Sequence, residues 1–169
     1  KPEILFPGGR QLYQSPFRDA STEFKVDNSK RGPGQRVAWD SSEPGNLSNT
    51  VFTRGTSNAT ALATRSAVRI YEMLDELRQR EGDDLPESLM SVVIKALMVH
   101  GARQPDSAKE GITAALKNAR NSRQFKVVIA RYIGYGATDI QRVLACTEQR
   151  ATVLGCGEIR ENEVHEYEF

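Results

Sequence analysis

The sequence predicts a mixed α/β chain, on three observations. Short β-branched and aromatic runs punctuated by Gly and Pro occupy the first third of the chain. A stretch without Gly or Pro, Ala59 to Arg80, then places Ala63, Ala67, Ile70, Tyr71, Leu74 and Leu77 at helical spacing. Pro86 follows where a second helix can start, and β-branched runs return near the C-terminus.

In chain order, Glu3-Ile-Leu-Phe6 is a short apolar run stopped by Pro7-Gly8-Gly9, which predicts a buried strand entering a turn. Residues 14–35 are rich in polar and turn residues, with Phe17, Phe24 and Val26 as anchors, and read as a long surface excursion. Brief strands are expected at Arg36–Trp39 and Thr50–Thr53, separated by a polar turn from Asp40 to Asn49. The first helix begins near Ala59. Its small residues through Ala63 suit deep burial, while Glu72, Asp75, Arg78 and Arg80 mark a solvent face. Leu89, Val92, Val93, Ala96, Leu97 and Val99 give the second helix a wide apolar face, with Gly101 placed to end it. A third helix is expected from about Ser107 to Ala119 and a strand at Lys126–Ile129. Asp139–Ala145 predicts a short helix capped by Thr138 or Asp139, and Arg150–Leu154 a last strand.

Composition narrows the function. The 169 residues carry 23 Lys+Arg against 22 Asp+Glu, and the net charge of +1 gives no reason to expect nucleic acid as a partner. The arginines between Arg54 and Arg80 alternate with acids rather than forming a basic face. No apolar run approaches the roughly 18 residues of a membrane span, so no membrane partner is expected. Cys146 and Cys156 fit no four-ligand zinc spacing and read as free thiols, with a bridge between them conceivable. Asp83 and Asp84 read as a solvated turn rather than a cation site. Tyr132 and Tyr135 read as core or turn packing rather than a stacking platform.

The most informative segment is Arg54-Gly-Thr-Ser57-Asn-Ala-Thr-Ala. A β-branched strand runs into Gly-Thr-Ser, and a helix of small residues follows at once. In the first turn of a helix the backbone N–H groups have no intrahelical partner and can donate to an oxyanion. Gly55 would allow close backbone approach to a substrate. Taken alone, a Ser at a helix start is most often a cap.

Its neighbours shift the balance. Lys-Pro-Glu-Ile-Leu-Phe-Pro-Gly-Gly opens the chain, and Gly55-Thr-Ser-Asn-Ala-Thr-Ala-Leu62 opens the long helix. The second helix ends in Ala96-Leu-Met-Val-His-Gly-Ala102, and Gly134-Tyr-Gly-Ala-Thr-Asp-Ile-Gln-Arg-Val-Leu144 comes last. In this order the four elements resemble the C-terminal part of subtilisin-like serine peptidases.

The resemblance implies a three-layer α/β fold with a mostly parallel sheet. Residues 1–154 would be the C-terminal part of the peptidase domain, with 14–50 a long loop insertion and 155–169 the start of a following segment or a C-terminal extension. It makes Ser57 the acyl-forming nucleophile, with Gly55 and Thr56 shaping its turn and the Ser57 N–H as one oxyanion donor. Asn58 stands where many members have Met, Ala61-Leu62 where many have Pro-His, and Arg65 where a small residue is common. The family order is Asp, His, then Ser, yet both histidines, His100 and His165, follow Ser57. His100 reads as a helix-end residue and His165 as a solvated one. The oxyanion Asn of the family should also lie upstream, since neither Asn49 nor Asn58 is at its position.

The chain starts at Lys1 rather than Met and is expected to be the second half of a domain, inactive alone. The implied partners are a protein or peptide substrate and the missing N-terminal part of the same catalytic domain. Self-association is expected of the isolated half. No cofactor is expected; the resemblance leaves room for a structural calcium in the intact domain, with no site identifiable in these residues. Few cysteines favour the cytoplasm over secretion. The alternatives are a non-catalytic relative that binds peptides or a partner protein, and a helical interaction module in which Ser57 is only a cap.

Overall fold

A computed structural model describes residues 3–14, 23–81, 85–116, 122–145, 152–155, 157, 159–164 and 166. Lys1, Pro2, Phe17, the Asp83-Asp84 turn, Cys146, Cys156, Arg150 and His165 lie outside the described residues. The chain divides into two compact units, Phe6–Thr64 and a second made of Lys1–Leu5 with Arg65–Phe169.

The first unit is built from two antiparallel hairpins and the start of a helix. Strands β1 (Leu12–Gln14) and β2 (Lys25–Asp27) pair with Tyr13 opposite Val26. Strands β3 (Gln35–Ala38) and β4 (Thr50–Thr53) pair with Gln35 opposite Thr53 and Ala38 opposite Thr50. The 14–35 excursion is therefore partly strand. The expected anchors do not anchor, since Phe24 is 65% and Val26 51% exposed. A β-branched or aromatic residue in a two-stranded hairpin is buried only if a second layer covers it.

Helix α1 (Thr56–Glu81) starts in this unit and ends in the other. Its first turns are not deeply buried: Thr60 and Ala61 are exposed, and Ala59, Leu62 and Ala63 half-buried. Small residues permit close packing but do not supply the element that would pack. Burial sets in at Ser66 and is complete at Ile70 and Leu74, both 0% exposed.

The second unit holds the hydrophobic core. A 3-10 turn (Glu87–Leu89) leads into α2 (Met90–His100), followed by β5 (Ala102–Arg103), α3 (Asp106–Ala115), α4 (Ser122–Ile133), β6 (Ala137–Thr138) and α5 (Ile140–Leu144). Met90, Val93, Leu97 and Met98 of α2 join Ile70 and Leu74 in the core, together with Ile129, Ile133 and Val143. Val92, on the other side of α2, is exposed, so the apolar face is narrower than its composition suggests. An Arg78–Glu87 ion pair connects the end of α1 to the 3-10 turn and raises the arginine's pKa through that hydrogen bond.

Lys126–Ile129 forms part of α4, not a strand. The β-branched run favours a strand locally, but Phe125, Ile129 and Ile133 recur every fourth residue, with Ile129 and Ile133 buried and Lys126 exposed. A buried helical face outweighs a propensity difference of a few tenths of a kcal/mol per residue. Residues 152–154 form no strand either. At the other end of the unit Asp139 caps α5, its carboxylate accepting from the Gln141 N–H at 3.0 Å.

The fold is thus mixed α/β, as expected, but a mostly parallel sheet is not what the described strands form. They make three two-stranded antiparallel sheets. The parallel pairing among them is the bridge between Leu5 and Ala137, supported by Leu5 N–H to the Gly136 carbonyl at 2.7 Å and Tyr135 N–H to the Glu3 carbonyl at 2.8 Å. Glu3–Phe6 is accordingly a half-buried bridging segment rather than a buried strand.

Candidate functional site

The strand β4 feeds directly into α1 through Arg54 and Gly55. Gly55 has φ +138°, a backbone conformation that side chains rarely adopt, and its N–H donates to the Gly8 carbonyl at 2.7 Å. That bond explains the Pro7-Gly8 turn: a Cβ on Gly8 would lie 2.7 Å from the Gly55 carbonyl oxygen. Thr56 begins the helix directly after Gly55.

Ser57 sits inside the first turn of α1 and is exposed. Its hydroxyl makes no hydrogen bond to any described residue, and neither the Thr56 nor the Ser57 backbone N–H has a partner among them. Within that turn the Asn58 N–H reaches the Gly55 carbonyl at 3.2 Å. A capping serine would stand before the helix and accept from an N–H two or three residues further on, whereas Ser57 lies inside the helix and accepts from no described residue. Ser57 therefore does not cap, and its hydroxyl stands beside N–H donors that, like it, have no partner among the described residues, at the positive end of a helix dipole.

Several residues around it are engaged with one another. Asn58 Nδ2 donates to the Thr53 carbonyl at 2.7 Å, and Thr53 Oγ1 donates to Asn58 Oδ1 at 3.1 Å. Gln35 Nε2 reaches the Asn58 carbonyl at 3.4 Å. The Arg54 guanidinium donates to the carbonyls of Asp27, Ser29 and Arg31, at 3.2, 3.1 and 2.5 Å, and so holds the 27–31 segment against the end of β4. Asp27 in turn accepts from the Ser29 N–H at 2.7 Å; this bond, with the nearby Arg54 and Arg31 charges, holds its carboxyl below the usual range. An open cleft of 430 Å³ is walled by Pro7, Gly8, Gly9, Arg10, Pro33, Gly34, Gln35 and Leu62, of which Gly8 and Gln35 are also bonded to the turn.

The other residues singled out in the sequence are not gathered here. His100 is exposed at the last position of α2, where the Gly101 N–H closes the helix on the Leu97 carbonyl at 2.9 Å. Asn49 gives its amide to the Asp40 carbonyl at 2.5 Å. Tyr132 and Tyr135 are each 59% exposed and pack into no core; on α4 the buried face that Tyr132 could share is taken by Ile129 and Ile133. Among the described residues no three His, Cys, Asp or Glu lie close enough to hold a metal ion. No described helix is long and apolar enough to cross a membrane. The reciprocal Thr53–Asn58 pairing has no signal in the sequence beyond two polar residues five apart.

The sequence matches the family model described as the Subtilase family over residues 1–136, which includes the whole of this turn. The chain belongs to the subtilase family. At the level of the family it is a serine peptidase of the subtilisin type. No curated protein and no solved structure matches it significantly. The subtilase match ends at Gly136, directly before β6.

Proposed function

We propose that this chain carries the nucleophile of a subtilisin-type serine endopeptidase, and that the nucleophile is Ser57. The observation that carries this reading is a Ser57 hydroxyl and first-turn N–H groups without partners among the described residues, exposed at the start of α1, within a chain of this family. Ser57 Oγ attacks the scissile carbonyl carbon while its proton passes to a histidine base. The tetrahedral oxyanion accepts from the Ser57 N–H and from an upstream Asn amide. Collapse breaks the C–N bond, the imidazolium protonates the departing amine, and water then releases the acyl group from Ser57.

The histidine, its orienting Asp and the oxyanion Asn come from polypeptide N-terminal to Lys1, which is the first partner of this chain; the second is a protein or peptide substrate. The 169 residues alone are inactive on this account, because His100 and His165 stand after Ser57 in a family whose base precedes it. Gly55 and Thr56 shape the turn, and Asn58 fixes it from the other side.

A fluorophosphonate probe applied to the longer protein tests the assignment. Labelling of the wild type that vanishes in Ser57→Ala is the expected result. A folded, unlabelled wild type overturns it and leaves the peptide-binding, non-catalytic relative as the better reading.

A further inference from the structure

We infer that Thr53 and Asn58 form a positioning clamp for Ser57, an inference that rests on Ser57 being the nucleophile. A nucleophile must be held in one orientation before it meets a substrate, since misplacement of about 1 Å costs roughly a hundredfold in rate. Ser57 cannot hold itself, because its hydroxyl and its N–H make no bond to a described residue. Orientation must come from its neighbours.

On the upstream side the Gly55 N–H is tied to the Gly8 carbonyl at 2.7 Å. On the downstream side the tie is Asn58. Its amide nitrogen donates to the Thr53 carbonyl at 2.7 Å and its amide oxygen accepts from the Thr53 hydroxyl at 3.1 Å. These two bonds run in opposite directions between the same two residues and close a ring around Arg54, Gly55, Thr56 and Ser57. Thr53 is itself fixed in the β3–β4 pairing opposite Gln35, and Gln35 reaches the Asn58 carbonyl. The turn is therefore bolted to the end of a strand pair.

An amide next to a nucleophile has a second role open to it, as an oxyanion donor. The geometry argues against that role here: the Asn58 Nδ2 already donates to a backbone carbonyl, and turning the amide toward a substrate would break that bond and the bond from the Thr53 hydroxyl together. Asn58 and Thr53 act through Ser57, not on the substrate.

Two measurements test the clamp. In the longer protein, saturation kinetics of fluorophosphonate labelling separate the maximal labelling rate from the half-saturating probe concentration. Thr53→Val keeps the shape and removes the hydroxyl donor, and should lower the maximal rate by roughly tenfold with half-saturation unchanged. Thr53→Ser keeps the hydroxyl and should restore the rate to within about twofold of wild type. Asn58→Leu combined with Thr53→Val should be no slower than Asn58→Leu alone, because both break the same ring. Wild-type rates in Thr53→Val, or equal losses in the Val and Ser variants, overturn the clamp. Hydrogen exchange of the Thr56 and Ser57 amides is read independently of any chemistry, and should quicken in Thr53→Val but not in Thr53→Ser. Unchanged exchange also overturns the clamp, whereas quickened exchange in a protein that never labels overturns only the nucleophile assignment.

Discussion

Replacing Gly8 by Ala should slow acylation of Ser57 while leaving the chain folded. A Cβ at this position lies 2.7 Å from the Gly55 carbonyl oxygen, where ordinary contact begins at 3.4 Å. The obstacle is backbone, so relief requires the turn to move by the difference, 3.4 − 2.7 = 0.7 Å. The same displacement stretches the 2.7 Å bond from the Gly55 N–H to the Gly8 carbonyl. Overpacking of this size costs about 1–3 kcal/mol, a fraction of a domain's stability. Its effect on rate is larger. With about a hundredfold lost per 1 Å of misplacement, 0.7 Å lowers the labelling rate roughly 25-fold. The assay is the time course of fluorophosphonate labelling of the longer protein, with circular dichroism to verify folding. Gly45→Ala is the control: Gly45 also has positive φ, at +80°, but a Cβ there meets nothing within 4 Å. It should cost about 1 kcal/mol and leave labelling unchanged. Equal labelling of the Gly8→Ala and wild-type proteins would falsify the idea that the Gly8 contact sets the nucleophile's position.

Two further outcomes follow from the packing and charges. Leu74→Ala removes a side chain that is 0% exposed and should lower the unfolding free energy by about 3 kcal/mol. Leu77→Ala, three residues along the same helix and 38% exposed, should cost about 1 kcal/mol or less; similar urea midpoints for the two would contradict the burial pattern of α1. Asp27 titrates below its ordinary 3.8, first because of the Ser29 N–H bond and then because of Arg54 and Arg31. A depressed carboxyl contributes stability above its unfolded pKa and loses it as pH falls through the folded value. Asp27→Asn should therefore lower stability at pH 7, where the contribution of the carboxylate is fully present, and change little in strong acid, so that the acid side of the profile flattens below about pH 4; an unaltered acid limb would argue against the Ser29 bond.

The sequence by itself determined the local features, because each depends on neighbours a few residues away. The Gly- and Pro-free stretch made α1, Thr50–Thr53 made a strand, and Asp139 capped α5. Gly-Thr-Ser between a strand and a helix marked the candidate nucleophile, and the family match includes that segment. Tertiary structure decided what depends on partners far along the chain. The Val127-Val128-Ile129 run was legible as a strand, and only the burial of Ile129 and Ile133 made it helix. Ala59–Ala63 looked like a buried helix start, but burial needs a facing element, and in α1 it is complete only at Ile70 and Leu74. Whether Ser57 capped its helix or stood free could not be read from residue order. It turned on where one hydroxyl points and on which polar atoms Asn58, Thr53 and Gly8 had already satisfied among themselves.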